Sequence, residues 1–304
     1  MKIGIESHKY EVQDNWGVLP EDVKFGYTHG VVTDAQERIY IFNMSKNAVV
    51  VFDKDGRYLK SWGKEYEKGA HGMLLHKEGD QEFLYLTDIN RGVVVKTTLD
   101  GEVLLTLGTP DLPDMYNTEN KYAPTDVAVA PNGDIYTADG YGQNWIHQYN
   151  AKGKYLRSWG GEGTVSGKLS CPHGISVDKR GSEPVIYVAD RRNKRIQVFT
   201  LDGKYLRMVT EEINAVCNFY QYKDELYFPD LESRVTILNK NDKLIAHIGV
   251  GDGYKRKGWP NHPKKDLIPG VFNSPHGILV DPKGNIFLVE WIQCGRVTKL
   301  KRID

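Results

Sequence analysis

The feature that most constrains the fold is a pattern of short strands and turns that recurs about six times. Its clearest copy starts at Pro172-His173-Gly174-Ile175, continues through strand-like runs at 185–189 and 195–199 that flank Asp190, and ends in an Asp202-Gly203 turn. A repeat of about 40–60 residues with four strands per unit is typical of a β-propeller. Because the turn residues recur in phase, this all-β interpretation is preferred to a β-sandwich.

The copies also indicate how the propeller closes. Their inner strands begin at six positions: His29, His71, Thr125, His173, Asn214 and His276. The last copy lacks a fourth strand, whereas residues 9–16 resemble the end of a copy. We therefore predict one six-bladed propeller domain over residues 1–304, with the N-terminal strand completing the last blade and leaving no exposed edge there.

Composition limits the setting in which the chain works. Its 304 residues have zero formal net charge and a pI of about 7.1, so no global field favours nucleic acid or anionic membranes. No apolar run is long enough to span a bilayer, and the N-terminus lacks the apolar region of a signal peptide. Three distant cysteines argue against a disulfide framework. We expect a cytoplasmic monomer or weak homo-oligomer that binds neither membrane nor nucleic acid.

The best copy carries a recognisable motif. It reads Pro-His-Gly-Ile-x-Val-Asp, then Ile-Tyr-Val-Ala-Asp, then Arg-Ile-x-Val-Phe and Asp-Gly within residues 172–203. This motif resembles the NHL repeat, and the resemblance extends over almost the whole chain. It implies a six-bladed propeller of the NHL type, and it says more about fold than about function.

One end of the predicted ring is elaborated. Long connections occupy residues 109–123, 161–171 and 250–274, and the turns after the second strands reach the same end. Long loops in a compact domain are often functional. We expect the site at this loop-rich face.

Three histidines suggest the chemistry of that site. His71, His173 and His276 fall in alternate blades, so their side chains would lie about 120° apart around the central axis. Three imidazoles and an open position form the usual catalytic site of zinc, although Fe, Co, Ni and Cu also accept imidazole. Each histidine could instead be a turn residue that bonds to backbone. His29, in blade one, could be an extra ligand, a general acid or base, or a turn residue.

A closer resemblance follows from four segments. Pro172-His173-Gly174, Pro275-His276-Gly277 and the turns at 139–144 and 189–197 resemble the peptidyl-α-hydroxyglycine α-amidating lyases. That family cleaves a carbinolamide to an amide and glyoxylate. The resemblance implies a zinc ion held by His71, His173 and His276, with Fe, Mn, Co or Ni as alternatives. It also implies Tyr141 as the base on the substrate hydroxyl, or as a metal-bound phenolate, and Arg191 as the cation that steadies a carboxylate or oxyanion.

The sequence departs from that family where the family recognises its substrate. The blade-one turn Phe42-Asn43-Met44-Ser45 lacks the family's arginine, and Gly277 replaces its calcium-binding aspartate. We therefore expect a different, small substrate.

Further residues of the predicted site have plainer alternatives. Asp88, Asp190, Glu290 and Trp291 are predicted to line the pocket, but acids that recur in phase are also typical turn caps. Tyr141 could be an exposed turn aromatic, and Arg191 could pair with a neighbouring aspartate.

Three functions follow, in order of preference. The first is a metal-dependent lyase acting on a small hydroxylated or carbonyl substrate. The second is a non-catalytic NHL propeller that binds protein, peptide or RNA at its loop-rich face. The residues that favour it are the basic and aromatic side chains of the longest loop: Lys255, Arg256, Lys257, Trp259, Lys264 and Lys265. The third is a lactonase-type hydrolase, against which the three histidines argue.

Overall fold

The computed structural model describes residues 1–5, 7–249 and 255–303 and confirms an all-β, six-bladed propeller. The helices whose bounds lie within these ranges are short 3-10 turns at Lys64–Tyr66, Arg191–Asn193 and Lys264–Asp266. No helix in the described ranges is long and apolar enough to cross a membrane. The chain divides into two compact units of three blades each, residues 1–67 with 217–304 and residues 68–216. The prediction of a single domain stays a prediction.

The first unit contains blades one, five and six. Blade one is β3–β6, blade five is β19–β22, and blade six has the order β1-β2-β25-β24-β23. The strands are β1 Lys2–Ile5, β2 His8–Gln13, β3 Thr28–Thr33, β4 Ile39–Asn43, β5 Val49–Phe52, β6 Tyr58–Trp62, β19 Tyr220–Tyr222, β20 Glu225–Asp230, β21 Arg234–Leu238, β22 Leu244–Ile248, β23 Pro275–Val280, β24 Ile286–Glu290 and β25 Arg296–Arg302.

The second unit contains blades two, three and four, which are four-stranded antiparallel sheets in simple chain order. The strands are β7 Ala70–Glu78, β8 Gln81–Asp88, β9 Val93–Thr97, β10 Val103–Leu107, β11 Asp126–Val129, β12 Ile135–Ala138, β13 Trp145–Tyr149, β14 Tyr155–Gly160, β15 Pro172–Asp178, β16 Val185–Asp190, β17 Arg195–Phe199 and β18 Tyr205–Val209.

Burial explains the character of the strands. The middle strands are apolar runs such as Val49-Val50-Val51-Phe52, which is buried along its whole length because both faces of the sheet are covered. The outer strands are more polar, and they leave residues such as Leu59 exposed. Apolar side chains of neighbouring sheets meet in shared cores, with Phe52 and Phe287 in the first unit and Tyr85 and Tyr149 in the second.

Blade six confirms the predicted closure and adds to it. β2 pairs with β25, so the N-terminal segment supplies the missing outer strand. This strand ends at Gln13 rather than at Trp16, and β1 adds a fifth strand that the sequence pattern did not predict.

The prediction for blade five was wrong at one point. Asn214 was expected to begin the inner strand, but that strand is β19, Tyr220–Tyr222, which forms a tight hairpin with β20. The Cys217 N–H donates to the Pro229 carbonyl, just as the Thr125 N–H donates to the Ala138 carbonyl in blade three. Pro229 and Ala138 each directly precede the acid at the turn after a second strand, Asp230 or Asp139. Cys217, not Asn214, therefore corresponds to Thr125.

Candidate functional site

The four histidines of the predicted site share one backbone device. Each lies at a register shift between the first and second strands of its blade, and the four shifts fall at Thr28/Gly30, Ala70/Met73, Pro172/Ile175 and Pro275/Gly277. Such a bulge interrupts the alternation of side chains between the two faces of the sheet and points one side chain in a new direction. The His-Gly pair that all four copies share therefore marks a β-bulge in the sequence.

In the second unit, His71 is fixed by a backbone carbonyl. Its Nδ1 lies 2.6 Å from the Thr125 oxygen. A carbonyl only accepts, so Nδ1 carries the hydrogen and Nε2 of the neutral ring keeps its lone pair. Gly72 makes this possible, because a Cβ there would lie 2.6 Å from the same Thr125 oxygen.

The same device recurs in the first unit. Nδ1 of His276 lies 3.1 Å from the His29 carbonyl, and a Cβ on Gly277 would lie 2.3 Å from that oxygen. Nδ1 of His29 donates to the Tyr27 carbonyl at 3.0 Å. Burial lowers the pKa of His29 to about 3, so its ring is neutral near pH 7. The His29 and His276 rings meet edge to face, with centroids 4.7 Å apart.

The second unit brings four of the predicted site residues together. The His71 and His173 rings have centroids 4.7 Å apart. The Tyr141 hydroxyl lies 3.1 Å from Nε2 of His173, and Nη2 of Arg191 donates to the Tyr141 oxygen at 3.2 Å. Because that oxygen accepts from Arg191, its own proton can be donated to His173. The predicted acid–base and cationic groups thus contact one another.

Cys171 adds an unpredicted contact to this group. Nη2 of Arg191 also lies 3.4 Å from Sγ of Cys171, a free and buried thiol. Tyr141 remains 43% exposed, whereas His71 and His173 are buried. A phenol that is exposed on one side and contacts an imidazole on the other is open to a molecule arriving from solvent.

The donor chemistry fits a metal. Buried His and Cys side chains among the described residues form groups that could hold a metal ion. Backbone carbonyls that accept from Nδ1 fix the tautomer and orientation of His71, His276 and His29, as partners of metal-bound imidazoles commonly do. Nitrogen and sulfur donors suit zinc and similar divalent ions, without choosing among them.

The acids predicted to line the pocket are each paired with an arginine and hydrogen-bonded to backbone. Asp88 accepts from the backbone N–H groups of Asn90 and Arg91 and pairs with the Arg91 guanidinium at 2.6 Å. Asp190 pairs with Arg195 at 2.7 Å. Glu290 accepts from the Asn273 N–H at 2.9 Å and pairs with Arg296 at 3.2 Å, and burial raises its pKa. Turn capping, the plainer alternative, describes Asp88, whereas Asp190 and Glu290 each form an ion pair with the arginine that begins the next strand. The pocket-lining role stays a prediction.

Blade three satisfies its acid differently. Asp139, which is fully buried, has no lysine or arginine partner within residues 1–5, 7–249 and 255–303. It accepts instead from the Tyr116 hydroxyl at 2.7 Å and from the N–H groups of Ala123 and Gln143 at 2.7 and 2.6 Å. Burial raises the pKa of Asp139 to about 6. This carboxyl therefore joins the turn that carries Tyr141 to the end of the 109–123 connection.

Tyr116 extends this network outward. Its oxygen lies 2.6 Å from Nε2 of His147, whose Nδ1 lies 2.6 Å from Oγ of Ser158. If Tyr116 donates to Asp139, Nε2–H of His147 donates to Tyr116 and the Ser158 hydroxyl donates to Nδ1, so all the bonds point one way. Hydrogen bonds linked in this way polarise and strengthen one another. Sequence reasoning missed Tyr116; the length of the 109–123 connection was its only signal.

Comparisons with known proteins agree with this architecture. The NHL repeat family matches residues 169–199. The human NHL repeat-containing protein 3 is 30% identical over 65% of this chain and 58% of its own length. The peptidyl-alpha-hydroxyglycine alpha-amidating lyase 2 of Drosophila melanogaster is 25% identical over 84% of this chain and 61% of its own. The chain thus spans little more than half the length of these two relatives.

A solved structure supports the fold alone. The structure of a streptogramin B lyase matches 96% of this chain and 97% of its own with a TM-score of 0.67, at 15% identity. The chain thus contains an NHL repeat in a six-bladed propeller and is similar in sequence to the amidating lyases.

Proposed function

We propose that this NHL-type propeller, similar to the α-amidating lyases, is a metal-dependent lyase for a small hydroxylated or carbonyl substrate. The observation that carries the proposal is the contact between Tyr141, His173 and Arg191, with His71 beside them. Isolated turn residues would not need a phenol, an imidazole and a guanidinium within hydrogen-bond distance of one another.

His71, His173 and His276 would hold the metal, with zinc as the expected ion. When bound, such an ion polarises a hydroxyl or carbonyl oxygen of the substrate and lowers the cost of negative charge there. The support within this chain is the fixed tautomer of His71 and His276, whose Nδ1–H groups are already engaged by backbone.

Tyr141 and Arg191 would carry the proton and charge chemistry. On a carbinolamide, Tyr141 would act as the phenolate: it takes the proton of the hydroxyl, a C=O bond forms as the C–N bond breaks, and the electron pair leaves on nitrogen. The proton then passes from Tyr141 to that nitrogen, which gives an amide and an aldehyde. Arg191, bonded to the phenol oxygen, would stabilise negative charge on it or on a substrate carboxylate.

The blade-one turn favours a small substrate. Asn43 lies in the turn where the amidating lyases carry an arginine. Both ends of its side-chain amide bind backbone: Oδ1 accepts from the Gly26 N–H, and Nδ2 donates to the Ala48 carbonyl. A buried, neutral amide that holds a turn offers no cation to a longer peptide substrate.

The decisive experiment combines metal analysis with turnover. Protein purified without a His tag should contain about one equivalent of divalent metal and should release glyoxylate from N-acyl-α-hydroxyglycines. His173→Ala should lose the metal, and Tyr141→Phe should keep the metal but lose about 10²–10³-fold in kcat. His76→Ala, on the same strand as His71, is the matched control. Metal-free wild-type protein that takes up no ion on titration would overturn the proposal.

A second function is favoured by one comparison and one loop. The similarity to NHL repeat-containing protein 3 covers 65% of the chain, and the described part of the 250–274 loop is rich in lysine. A non-catalytic propeller that binds protein, peptide or RNA would keep its affinity after metal removal and in His173→Ala. The residues at 250–254 lie outside the described ranges.

A further inference from the structure

A cavity separate from the proposed catalytic site lies within the first unit. Its volume is about 460 Å³, and it is bounded by the connection between β2 and β3, the turn between β24 and β25, and Lys264 of the longest loop. This volume is in the range of small-molecule sites. Tyr141, Arg191 and the predicted metal ligands do not line the cavity, so its function does not depend on the proposed lyase.

The inner wall of the cavity is apolar because it belongs to a core. Trp16, Leu19 and Phe25 are half-buried, so this part of the core reaches solvent. A hydrocarbon group bound here would therefore leave water and pack against an existing core. Five side chains of the wall are part of, or pack against, the cluster that contains Phe52 and Phe287: Trp16, Leu19, Val23, Phe25 and Val297.

Backbone contacts hold these walls in place. The Trp16 N–H donates to the Val297 carbonyl at 2.8 Å. A Cβ on Gly295 would lie 2.4 Å from Cβ of Phe25 and 2.8 Å from the Gly26 carbonyl oxygen, and the φ of Gly295 is +59°. Only glycine therefore lets the turn between β24 and β25 approach the connection so closely. The cavity is a preformed feature of the fold, which lowers the cost of binding.

The polar side chains that line the cavity are mostly exposed and mark its mouth. Glu21, Lys24 and Lys264 are exposed, and so is the one side-chain amide of the lining, Asn15. Of the described residues that line the cavity, none carries a hydroxyl group or an imidazole. The inner wall thus offers few hydrogen-bond partners to a sugar or a base. This composition favours a ligand whose body is plain hydrocarbon.

Charge at the mouth favours an anion. Two lysines, Lys24 and Lys264, stand against the single carboxylate of Glu21, and neither lysine forms an ion pair within residues 1–5, 7–249 and 255–303. Arg296 also lines the cavity, but its guanidinium is engaged with Asp14 at 2.7 Å and with two backbone carbonyls at 2.9 Å. The two lysines are therefore the cations that a ligand can reach.

We propose that this cavity binds a small amphipathic anion, a carboxylate on an unbranched aliphatic chain. The chain lies against Trp16, Leu19 and Phe25, and the carboxylate faces Lys24 and Lys264. Because both lysines are exposed, their contribution is modest, and burial of the chain supplies most of the affinity. An amine on the same chain is repelled by both lysines, so reversing the ligand charge separates this site from general hydrophobic adsorption.

Ligand protection of Cys294 tests the inference. This thiol lines the cavity and is half-buried, whereas Cys171 and Cys217 are buried, so a maleimide should label Cys294 first in the native protein. With a Kd of about 0.1 mM, decanoate at about 1 mM should slow this labelling about 10-fold, and decylammonium, bound about 10-fold more weakly, about 2-fold. Mass spectrometry of the digested protein locates the label. Equal protection by the two compounds, or protection by neither, would overturn the proposal.

Calorimetry with variants tests the role of the two lysines. The Lys24→Gln/Lys264→Gln double variant should lose the roughly 10-fold preference for decanoate over decylammonium. Lys265→Gln is the matched control and should keep it, since Lys265 is the exposed neighbour of Lys264 and does not line the cavity. An unchanged preference in the double variant, or the same loss in Lys265→Gln, would place the anion elsewhere. Hexanoate bound as tightly as decanoate would show that the cavity does not bury the chain.

Discussion

At the scale of the residue, the His-Gly pair is a single device. The imidazole donates to a neighbouring carbonyl, and the glycine lets its own backbone approach that same oxygen, as His71 and Gly72 do with Thr125. Without the following glycine, His71 and His276 would lose their acceptors, because a Cβ there would push the carbonyl away. The glycine is therefore as much a part of the proposed metal site as the ligand.

Gly72→Ala should weaken metal binding without touching a ligand. The new methyl would lie 2.6 Å from the Thr125 oxygen and displace the group that orients His71, so we expect a roughly 10–100-fold loss of metal affinity. Competition with a zinc-binding dye measures it. Gly108→Ala, where the added Cβ meets no atom within 4 Å, should change nothing. Equal affinities in both variants would show that the His71 carbonyl bond has no part in metal binding.

Tyr116→Phe should destabilise the protein by about 2–3 kcal/mol, because it removes the O–H that donates to the buried Asp139 carboxyl and leaves His147 without its acceptor. Tyr122→Phe is the matched control: its hydroxyl, also buried, donates only to Thr137 at 2.9 Å, so a loss of about 1 kcal/mol is expected. Urea unfolding of both variants makes the comparison. A smaller loss for Tyr116 than for Tyr122 would contradict the role given to this network.

Asp139 should make stability depend on pH between about 4 and 6. Its folded pKa, raised by burial to about 6, exceeds the ordinary value of 3.8, so the folded state binds the proton more tightly than the unfolded state. The resulting stabilisation is fully present below pH 3.8 and is lost as pH rises through 6. It amounts to about 3 kcal/mol. The difference in unfolding free energy between wild type and Asp139→Asn should shift with pH across this window; a constant difference would refute the assignment.

At the scale of the element, the two N-terminal strands are unequal. β2 buries Tyr10 completely in the core that it shares with Tyr227 and Phe272, whereas β1 is mostly exposed. Of the two N-terminal strands, β2 therefore contributes more to stability, mainly through the burial of Tyr10.

Removing residues 1–5 should cost little, whereas Tyr10→Ala should cost about 3–5 kcal/mol through the cavity left in the core. Thermal and urea unfolding of the two variants provide the measurement. Should the truncation prove the more damaging of the two, β1 rather than β2 would be the strand that secures blade six.

At the scale of the whole molecule, a resident metal should raise stability by mass action. With free zinc at about 100 times its Kd, the folded state gains about 2.7 kcal/mol if the unfolded chain does not bind the ion. Melting temperature should rise on zinc addition in wild type and not in His173→Ala. A rise of the same size in both would place the ion elsewhere.

The sequence predicted those parts of the molecule that repeat. Turn residues in phase located nearly every strand, since strand, turn and bulge are local and each copy repeats them. Prediction failed where a copy shortens, as at β19, and Cys217 went unnoticed because it breaks the His pattern. It also failed at Tyr116, whose partners Asp139 and His147 are brought to it only by the folded loop. Contacts between segments that differ in sequence do not produce a repeating pattern, so the sequence alone does not predict them.

The pairing of Tyr10 with Arg302 in blade six sets a schedule for biosynthesis. A chain made from its N-terminus can assemble blades one to five as they leave the ribosome, but the edge of β2 opposite β1 must wait until β25 has emerged. During that interval the nascent protein carries a strand with open hydrogen-bonding groups and an unburied tyrosine, the kind of edge on which chains stick to one another. The yield of folded protein in cells therefore depends on how soon β25 covers this edge.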